Sequence, residues 1–130
     1  MSWEDHTNEL LESKKLIGAC ILSREDGTIY AQSGNITISE GEAENIASYL
    51  KAEEKPASLL VSGTKYMSAN YQDDIEVAYL VKKNGGVCAG MAKTLIVVGV
   101  WSKELDKNII AGHCNAVIEK KLEEFIKDDF

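Results

Sequence analysis

The stretch IEVAYLVKKNGGVCAGMAKTLIVVGVW, residues 75–101, contains three apolar runs separated by short polar segments. The runs at 75–83, 86–92 and 94–101 are short and almost continuously apolar, which predicts buried strands. The Asn-Gly-Gly segment at 84–86 between the first two runs is typical of a tight hairpin turn. Because so little chain separates them, we expect these strands to be antiparallel neighbours in one sheet.

The sequence on either side of this stretch completes the pattern. Further strands are predicted at 16–22, 28–33, 58–62 and 64–71, with turns at Gly27 and at Asp73-Asp74. Ser2 with Asp5, and Ser39 with Glu42, have the spacing of capping boxes, which predicts helices at about 2–12 and 39–52. A third helix, at about 113–127, follows Gly112. The order predicts one α+β domain over residues 1–130, with an antiparallel sheet whose apolar face the terminal helices cover.

The composition excludes several classes of function. The chain has 130 residues, 45% of them hydrophobic, and a net charge of -7, and Arg24 is the only arginine. A nucleic-acid-binding protein needs a basic surface, so that class is excluded. The longest apolar run, residues 95–101, is too short to span a bilayer, and residues 1–15 do not resemble a secretory signal. We therefore expect a cytoplasmic protein without a transmembrane segment.

Three cysteines and two histidines are the candidates for thiol chemistry and metal binding. Cys20, Cys88 and Cys114 are odd in number and far apart, which predicts reduced thiols, with neither a disulfide framework nor a metal site. The neighbours His113 and Cys114 raise the hypothesis of a thiol hydrolase, which predicts that Cys114→Ala abolishes activity. Adjacent residues at a helix start point in different directions, so a buried cysteine beside a solvent-facing histidine is the favoured interpretation. We expect no enzymatic activity and no cofactor.

Two groups of side chains could form binding surfaces. Lys82 and Lys83 flank the glycine turn and, with Lys65, could form a basic patch for an acidic protein surface or a lipid headgroup, or be ordinary solubilising lysines. The second group is aromatic and comprises Trp3, Tyr30, Phe125 and Phe130. If the terminal helices pack side by side, these rings converge, either as part of the core or as a groove for a polyproline II peptide.

Several fragments together resemble the profilin family of actin-monomer-binding proteins. They are the opening Ser-Trp, IYAQS (29–33), SGTKYM (62–67), KKNGG (82–86), TLIVVGVW (94–101) and GHCNAVIEK (112–120). They occur in the order and roughly the spacing of the family, from residue 2 to the end of the chain. The resemblance implies a central antiparallel sheet with the terminal helices on one face and smaller helices on the other.

The resemblance also implies a function. A profilin binds monomeric actin one to one, blocks addition at pointed ends and allows delivery to barbed ends, and it can favour nucleotide exchange on actin. The actin face of the family comprises the last helix, the loop before it and the adjoining strands. Transferred to this sequence, the matching positions are Lys65, Lys82, Lys83, Gly112, Asn115 and Glu119. The lysines would then face an acidic surface of actin and steer association.

The polyproline site implied by the resemblance departs from the family pattern. Its positions in this sequence are Trp3, His6, Tyr30, Phe125 and Phe130. His6 stands where a tyrosine is usual, and Tyr30 where a tryptophan is usual. Without a gap, Glu124 falls at a position that is usually His or Tyr, whereas a one-residue slip places Phe125 there. Because these changes reduce stacking area or remove a hydroxyl donor, we expect proline-rich binding to be weakened or absent.

Two further expectations concern ligands. Phosphoinositide binding should be weak, because the net charge is negative and one arginine is present. A profilin-shaped protein could alternatively be a small-molecule sensor or a scaffold for small GTPases that does not bind actin. A sensor should have a cavity lined by polar groups in the sheet face, and the continuously apolar strands disfavour it.

Overall fold

The computed structural model describes residues 2–72 and 77–130. The predicted turn at Asp73-Asp74 and the start of the strand predicted at 75–83 lie outside these residues. The elements, in chain order, are α1 (Trp3–Glu12), β1 (Gly18–Ser23), β2 (Ile29–Gly34), α2 (Glu40–Lys51), β3 (Ser58–Val61), β4 (Thr64–Gln72), β5 (Val77–Lys82), β6 (Gly85–Met91), β7 (Leu95–Ser102) and α3 (Ala111–Lys127).

Both predicted capping boxes are confirmed. Ser2 Oγ accepts the N–H of Asp5 at 3.2 Å, and the Asp5 carboxylate accepts the N–H of Ser2 at 3.0 Å. Ser39 and Glu42 repeat this arrangement at the start of α2. Each box satisfies two N–H groups that the first turn of a helix leaves without a partner. The three-residue spacing between the serine and the acidic residue therefore determines where α1 and α2 begin.

The third helix begins earlier than the sequence indicates. It starts at Ala111, so Gly112 lies within its first turn and does not precede it. The N–H of Ile110 donates to His113 Nδ1 at 3.4 Å. His113 therefore caps the helix, a role in which histidine is uncommon. The N-cap residue is Ile110, so the Ser, Thr, Asp or Asn that usually marks the start of a helix is missing from the sequence.

The seven strands form one antiparallel sheet in the order β2-β1-β7-β6-β5-β4-β3. The predicted antiparallel meander is confirmed from β3 to β7, where each strand pairs with the next along the chain. The turn between β5 and β6 holds Asn84 at φ 61°, a left-handed conformation that asparagine tolerates. The pairing of β1 with β7 joins the first hairpin to the meander.

Apolar side chains of the sheet fill both of its faces. Along β7, Ile96, Val98 and Val100 belong to the core beneath α2, and Leu95, Val97 and Trp101 to the core beneath α1 and α3. This alternation explains why β7 is almost continuously apolar. The predicted placement of the terminal helices on one face is confirmed. Within the described ranges the opposite face carries one helix, α2, where smaller helices were expected.

The terminal helices do not cover their face of the sheet completely. Helix α1 packs over β1 and β2, and α3 packs over β5, β6 and β7. Gly99 permits the close approach of α3, because a Cβ atom there would lie 2.8 Å from Ile118 Cδ1. Helix α3 does not extend over β3 and β4, so this end of the sheet is uncovered on the face of the terminal helices.

Candidate functional site

Five aromatic side chains from four parts of the chain meet beside α1. Trp3 stacks on Tyr30 with ring centroids 5.7 Å apart, and the Phe130 ring meets Trp3 edge-on at 5.2 Å. His6 meets Phe125 edge-on at 4.8 Å and lies 6.0 Å from Trp3. We call these residues the aromatic cluster. The structure therefore brings together all five residues that the resemblance assigned to a polyproline site.

Burial divides the aromatic cluster into a floor and an exposed rim. Phe125 is 1% exposed and packs in the core beneath α3. Trp3 and His6 are half-buried, and Tyr30 and Phe130 are exposed. Phe125 therefore supports the other rings, while Trp3, His6, Tyr30 and Phe130 are the members that a ligand can touch.

The end of the chain is held against the sheet. The carbonyl of Phe130 accepts the N–H and the hydroxyl of Thr94, and the Phe130 N–H donates to the carbonyl of Phe125 at 2.8 Å. Lys93 pairs with Asp129 at 2.6 Å, and this contact lowers the pKa of the Asp129 carboxyl. These contacts fix the Phe130 ring beside Trp3.

A buried lysine joins α1 to α3 behind the aromatic cluster. Lys121 is 3% exposed, and its Nζ lies 2.6 Å from Glu9 Oε1 and 3.1 Å from Glu124 Oε2. It also lies 3.3 Å from His6 Nδ1. Burial, and then the nearby ammonium, lower the pKa of His6, against the opposite effect of the two carboxylates. Apart from the i, i+3 spacing of Lys121 and Glu124, no local pattern in the sequence indicates this role.

The second surface is the part of the sheet that α3 leaves uncovered. Lys65 and Met67 are two residues apart on β4 and therefore share a face. Leu60 pairs with Lys65, and Val81 pairs with Met67, so these four side chains project together. Leu60, Met67 and Val81 are among the exposed large apolar residues, with Met67 at 47%. We call these four residues the open face.

A glycine on the neighbouring strand helps to keep the open face uncovered. Gly86 pairs with Val81 and provides no side chain to shield it. A Cβ atom at Gly86 would lie 2.6 Å from both the Leu80 carbonyl oxygen and Trp101 Nε1. Because of this crowding, only glycine fits at this position without displacement of β5 or β7.

The structure separates the three lysines that the sequence grouped. Lys65 lies in the open face, and Lys83 is exposed in the turn that follows β5. The Lys82 Nζ lies 5.9 Å from the centroid of the Tyr66 ring, and Tyr66 belongs to the core beneath α2. Strand alternation thus directs Lys82 to the face opposite Lys65.

The α3 residues assigned to the actin face also differ in accessibility. Gly112 is exposed, and a Cβ atom built there would have no contact closer than 3.9 Å. Asn115 is buried, and its Nδ2 donates to Glu119 Oε1 at 2.5 Å. This hydrogen bond from the buried Asn115 orients the carboxylate of the half-buried Glu119. Its Oδ1 has no hydrogen-bond partner among the residues that the structure describes.

His113 and Cys114 do not form a nucleophile and base. Cys114 is fully buried, and burial followed by the contact with Cys88 raises the pKa of its thiol. His113 is exposed, and its Nδ1 accepts the N–H of Ile110. The thiol stays protonated and out of reach of a substrate, so the geometry contradicts the thiol-hydrolase hypothesis.

The described ranges contain neither a candidate metal centre nor a candidate membrane-spanning helix. Within residues 2–72 and 77–130, no cluster of three or more His, Cys, Asp or Glu side chains could hold a metal ion. Among the same residues, no helix combines the length and the apolar character needed to cross a membrane.

Comparison with known proteins gives consistent results. The family model described as Profilin matches residues 1–130. Profilin-1 of Dictyostelium discoideum is 29% identical over 131 aligned positions, which cover 99% of this chain and 98% of that protein. Acanthamoeba castellanii profilin IB has a solved structure with a TM-score of 0.86 at 22% identity, covering 99% of this chain and 100% of that one.

Two more distant structures contain partners. Mouse profilin IIa, solved in complex with a double repeat from the FH1 domain of mDia1, matches with a TM-score of 0.79 at 13% identity, covering both chains completely. LokiProfilin1, solved in complex with rabbit actin, matches with a TM-score of 0.71 at 14% identity and covers 98% of each chain. At these identities the likeness concerns the fold.

Proposed function

Because the chain belongs to the profilin family, we propose that it binds monomeric actin through the open face and the adjoining start of α3. The observation that carries this proposal is the exposure of Leu60, Met67 and Val81 around Lys65 on strands that α3 leaves uncovered. A contiguous apolar surface with charge at its edge is the usual composition of a protein–protein interface. The LokiProfilin1–actin complex supports the choice of partner.

The proposed consequences for actin follow from this binding. The protein sequesters monomers from spontaneous assembly and pointed ends and delivers them to barbed ends in the cytoplasm. Lys65 and Lys83 steer association with an acidic surface, and Glu119, held by Asn115, contributes at the edge of the contact. Lys82 contributes less, because its side chain lies on the face beneath α2.

We further propose that the aromatic cluster binds proline-rich peptides weakly. Trp3 and Tyr30 form a stacked platform, and Phe130 provides an exposed wall beside it. Polyproline II helices dock in grooves lined by such rings. A tyrosine provides less stacking area than the tryptophan usual at position 30, so the affinity is expected to be lower than in typical members. Weak phosphoinositide binding stays a prediction from composition.

The actin proposal is tested by spontaneous assembly of pyrene-labelled actin. We expect an excess of the protein to slow assembly, because sequestered monomers do not nucleate filaments. Met67 is exposed in the free protein, and actin would bury it, so Met67→Asp would place a carboxylate in the apolar contact. The apparent affinity should then fall by at least about 10-fold.

Ile126→Asp provides the matched control for Met67→Asp. Ile126 is 44% exposed, close to the 47% of Met67, and lies in the last turns of α3. The Ile126→Asp variant should inhibit actin assembly as strongly as the unsubstituted protein does. Unchanged assembly in a large excess of protein would refute actin binding. Equal inhibition by both variants would place the actin contact away from the open face.

A further inference from the structure

A pocket rich in basic side chains lies beside the aromatic cluster, where the turn after β1, the end of α2 and the turn before β7 meet. It has a volume of about 450 Å³, and its lining includes Arg24, Lys51 and Lys93 together with Tyr30 and Thr94. We call it the basic pocket. Three cations meet there on a chain whose net charge is -7 and whose only arginine is Arg24. Because the overall charge repels anions, this local excess of positive charge is a place where an anion can be favoured.

Backbone carbonyls hold two of the cations at the basic pocket without neutralising them. Arg24 Nη1 donates to the carbonyl of Ala92 at 2.8 Å, and Lys51 Nζ donates to the carbonyl of Glu25 at 3.0 Å. Within residues 2–72 and 77–130, neither side chain forms a salt bridge with a carboxylate. A guanidinium has five N–H donors and an ammonium has three, so both side chains retain donors for a ligand.

The acidic groups nearby leave the basic pocket positive. Lys93 pairs with Asp129 at 2.6 Å. Among the described residues of the lining, the acidic one is Glu25, which is exposed to solvent. The three cations outnumber these two carboxylates, and Arg24 pairs with neither of them. The basic pocket can therefore accept a further carboxylate.

The basic pocket and the aromatic cluster share a wall. Tyr30 lines the pocket and stacks on Trp3 with ring centroids 5.7 Å apart. Thr94 also lines the pocket, and its hydroxyl donates to the carbonyl of Phe130 at 2.7 Å. A polyproline II helix advances about 3.1 Å per residue, so a residue about two or three positions beyond a proline on Tyr30 reaches the pocket.

We propose that the basic pocket binds an aspartate or glutamate side chain that flanks the prolines of a peptide bound on the aromatic cluster. The inference rests on the proposed binding of proline-rich peptides and specifies their class further, as segments with an acidic flank. A carboxylate suits the free donors of Arg24 and Lys51, since hydrogen bonds between ionised groups are the stronger ones. One peptide then contacts the rings through its prolines and the basic pocket through its acid.

A peptide is favoured over an anionic membrane as the source of the acid. Membrane-binding sites of this kind combine about four to eight basic residues, whereas the basic pocket has three. The net charge of -7 also opposes approach to a negative membrane surface. A single side chain entering the pocket from the neighbouring rings meets neither obstacle.

The inference is tested by calorimetric titration of the protein with three peptides whose ends are acetylated and amidated. Decaproline is the reference. The other two carry a pair of aspartates before or after the prolines, so that one of them presents its acid to the basic pocket whichever way the peptide runs. We expect one acidic peptide to bind about 3- to 10-fold more tightly than decaproline. This gain should shrink as NaCl is added, because salt screens the attraction.

The sign of the difference is informative, because an acidic protein without the basic pocket would repel an acidic peptide. Arg24→Gln and Lys51→Gln each remove one charge from the pocket, and the readout is the ratio of the acidic-peptide affinity to the decaproline affinity. We expect each variant to reduce this ratio about 2- to 3-fold and the double variant to abolish the gain. If Arg24→Gln does not fold, Lys51→Gln decides the question, since Lys51 is exposed.

Lys107→Gln is the matched control. It removes the same charge as Lys51→Gln, also from an exposed lysine, but Lys107 follows the end of β7 that lies opposite the basic pocket. Its affinity ratio should equal that of the unsubstituted protein. An equal decrease in Lys107→Gln and Lys51→Gln would show that overall charge, and not the basic pocket, determines the preference.

The other outcomes separate this inference from the proposal on which it rests. Equal affinities for decaproline and both acidic peptides would overturn the role of the basic pocket and leave the peptide site intact. No binding of any of the three peptides at millimolar concentration would overturn both. Binding of phosphatidylinositol bisphosphate vesicles that depends on Arg24, with no gain for either acidic peptide, would assign the basic pocket to a lipid headgroup instead.

Discussion

The aromatic cluster and the open face occupy the same side of the sheet but are built in different ways. The aromatic cluster needs α1, β2, α3 and the end of the chain to meet, and a buried lysine joins its two helices. The open face consists of adjacent strands whose side chains project by simple alternation. We therefore expect substitutions and pH changes that act on helix packing to affect the aromatic cluster and not the open face.

The largest separation of the two surfaces is expected from Trp3→Ala. Trp3 contacts four other rings of the aromatic cluster, and its removal deletes the platform on which a proline peptide would stack. Decaproline affinity should fall at least about 30-fold, the effect of losing a hot-spot tryptophan. Inhibition of actin assembly should be unchanged. A parallel loss of both activities in the folded variant would show that the surfaces are not independent.

A smaller effect tests the alternation that defines the open face. Lys65→Glu reverses a charge beside Leu60, whereas Lys82→Glu makes the same change on the opposite face. We expect Lys65→Glu to weaken actin binding about 3- to 10-fold, mainly through slower association. Lys82→Glu should change it less than about 2-fold. If the order is reversed, actin contacts the face beneath α2.

The start of α1 offers a test of how the aromatic cluster depends on its helix. Ser2→Ala removes the side-chain cap but leaves every ring in place. The free energy of unfolding should fall by about 1 kcal/mol, measured by urea denaturation. Decaproline affinity should decrease slightly and actin affinity should not. Ser39→Ala, which removes the equivalent cap of α2, is the control and should leave decaproline binding unchanged.

The smallest expected effect is a dependence of stability on pH. The folded pKa of His6 is lowered, so between the folded and unfolded values the unfolded chain binds more protons. The contribution of neutral His6 is complete above the unfolded pKa of about 6.5 and is lost as pH falls through the folded value. The melting temperature should therefore decrease from pH 7.5 to 5.5.

One variant assigns this decrease to His6. His6→Phe should show a smaller decrease than the unsubstituted protein. Asp5, Glu9 and Asp129, whose pKa values are also lowered, remain ionised down to pH 5.5 and do not contribute in this window. An equal decrease in His6→Phe would place the sensitivity elsewhere in the molecule.

Much of the fold was predictable because its signals are local. The Ser–Asp and Ser–Glu spacings determined the starts of α1 and α2, and the apolar runs joined by tight turns determined the antiparallel meander. The convergence of Trp3, Tyr30 and Phe130 also followed, once the terminal helices were placed on one face. The start of α3 was misplaced because its cap is the unusual His113.

The positions of single side chains were decided by the tertiary structure. The sequence shows that neighbouring side chains along β4 and β5 point to opposite faces of the sheet. Which of these faces is exposed depends on how far α3 extends over the sheet. This tertiary arrangement separates Lys65 from Lys82. The burial of Lys121 depends on Glu9 and His6, more than 110 positions away along the chain. A buried ammonium is stable only when folding supplies its acceptors, and no local pattern records that condition.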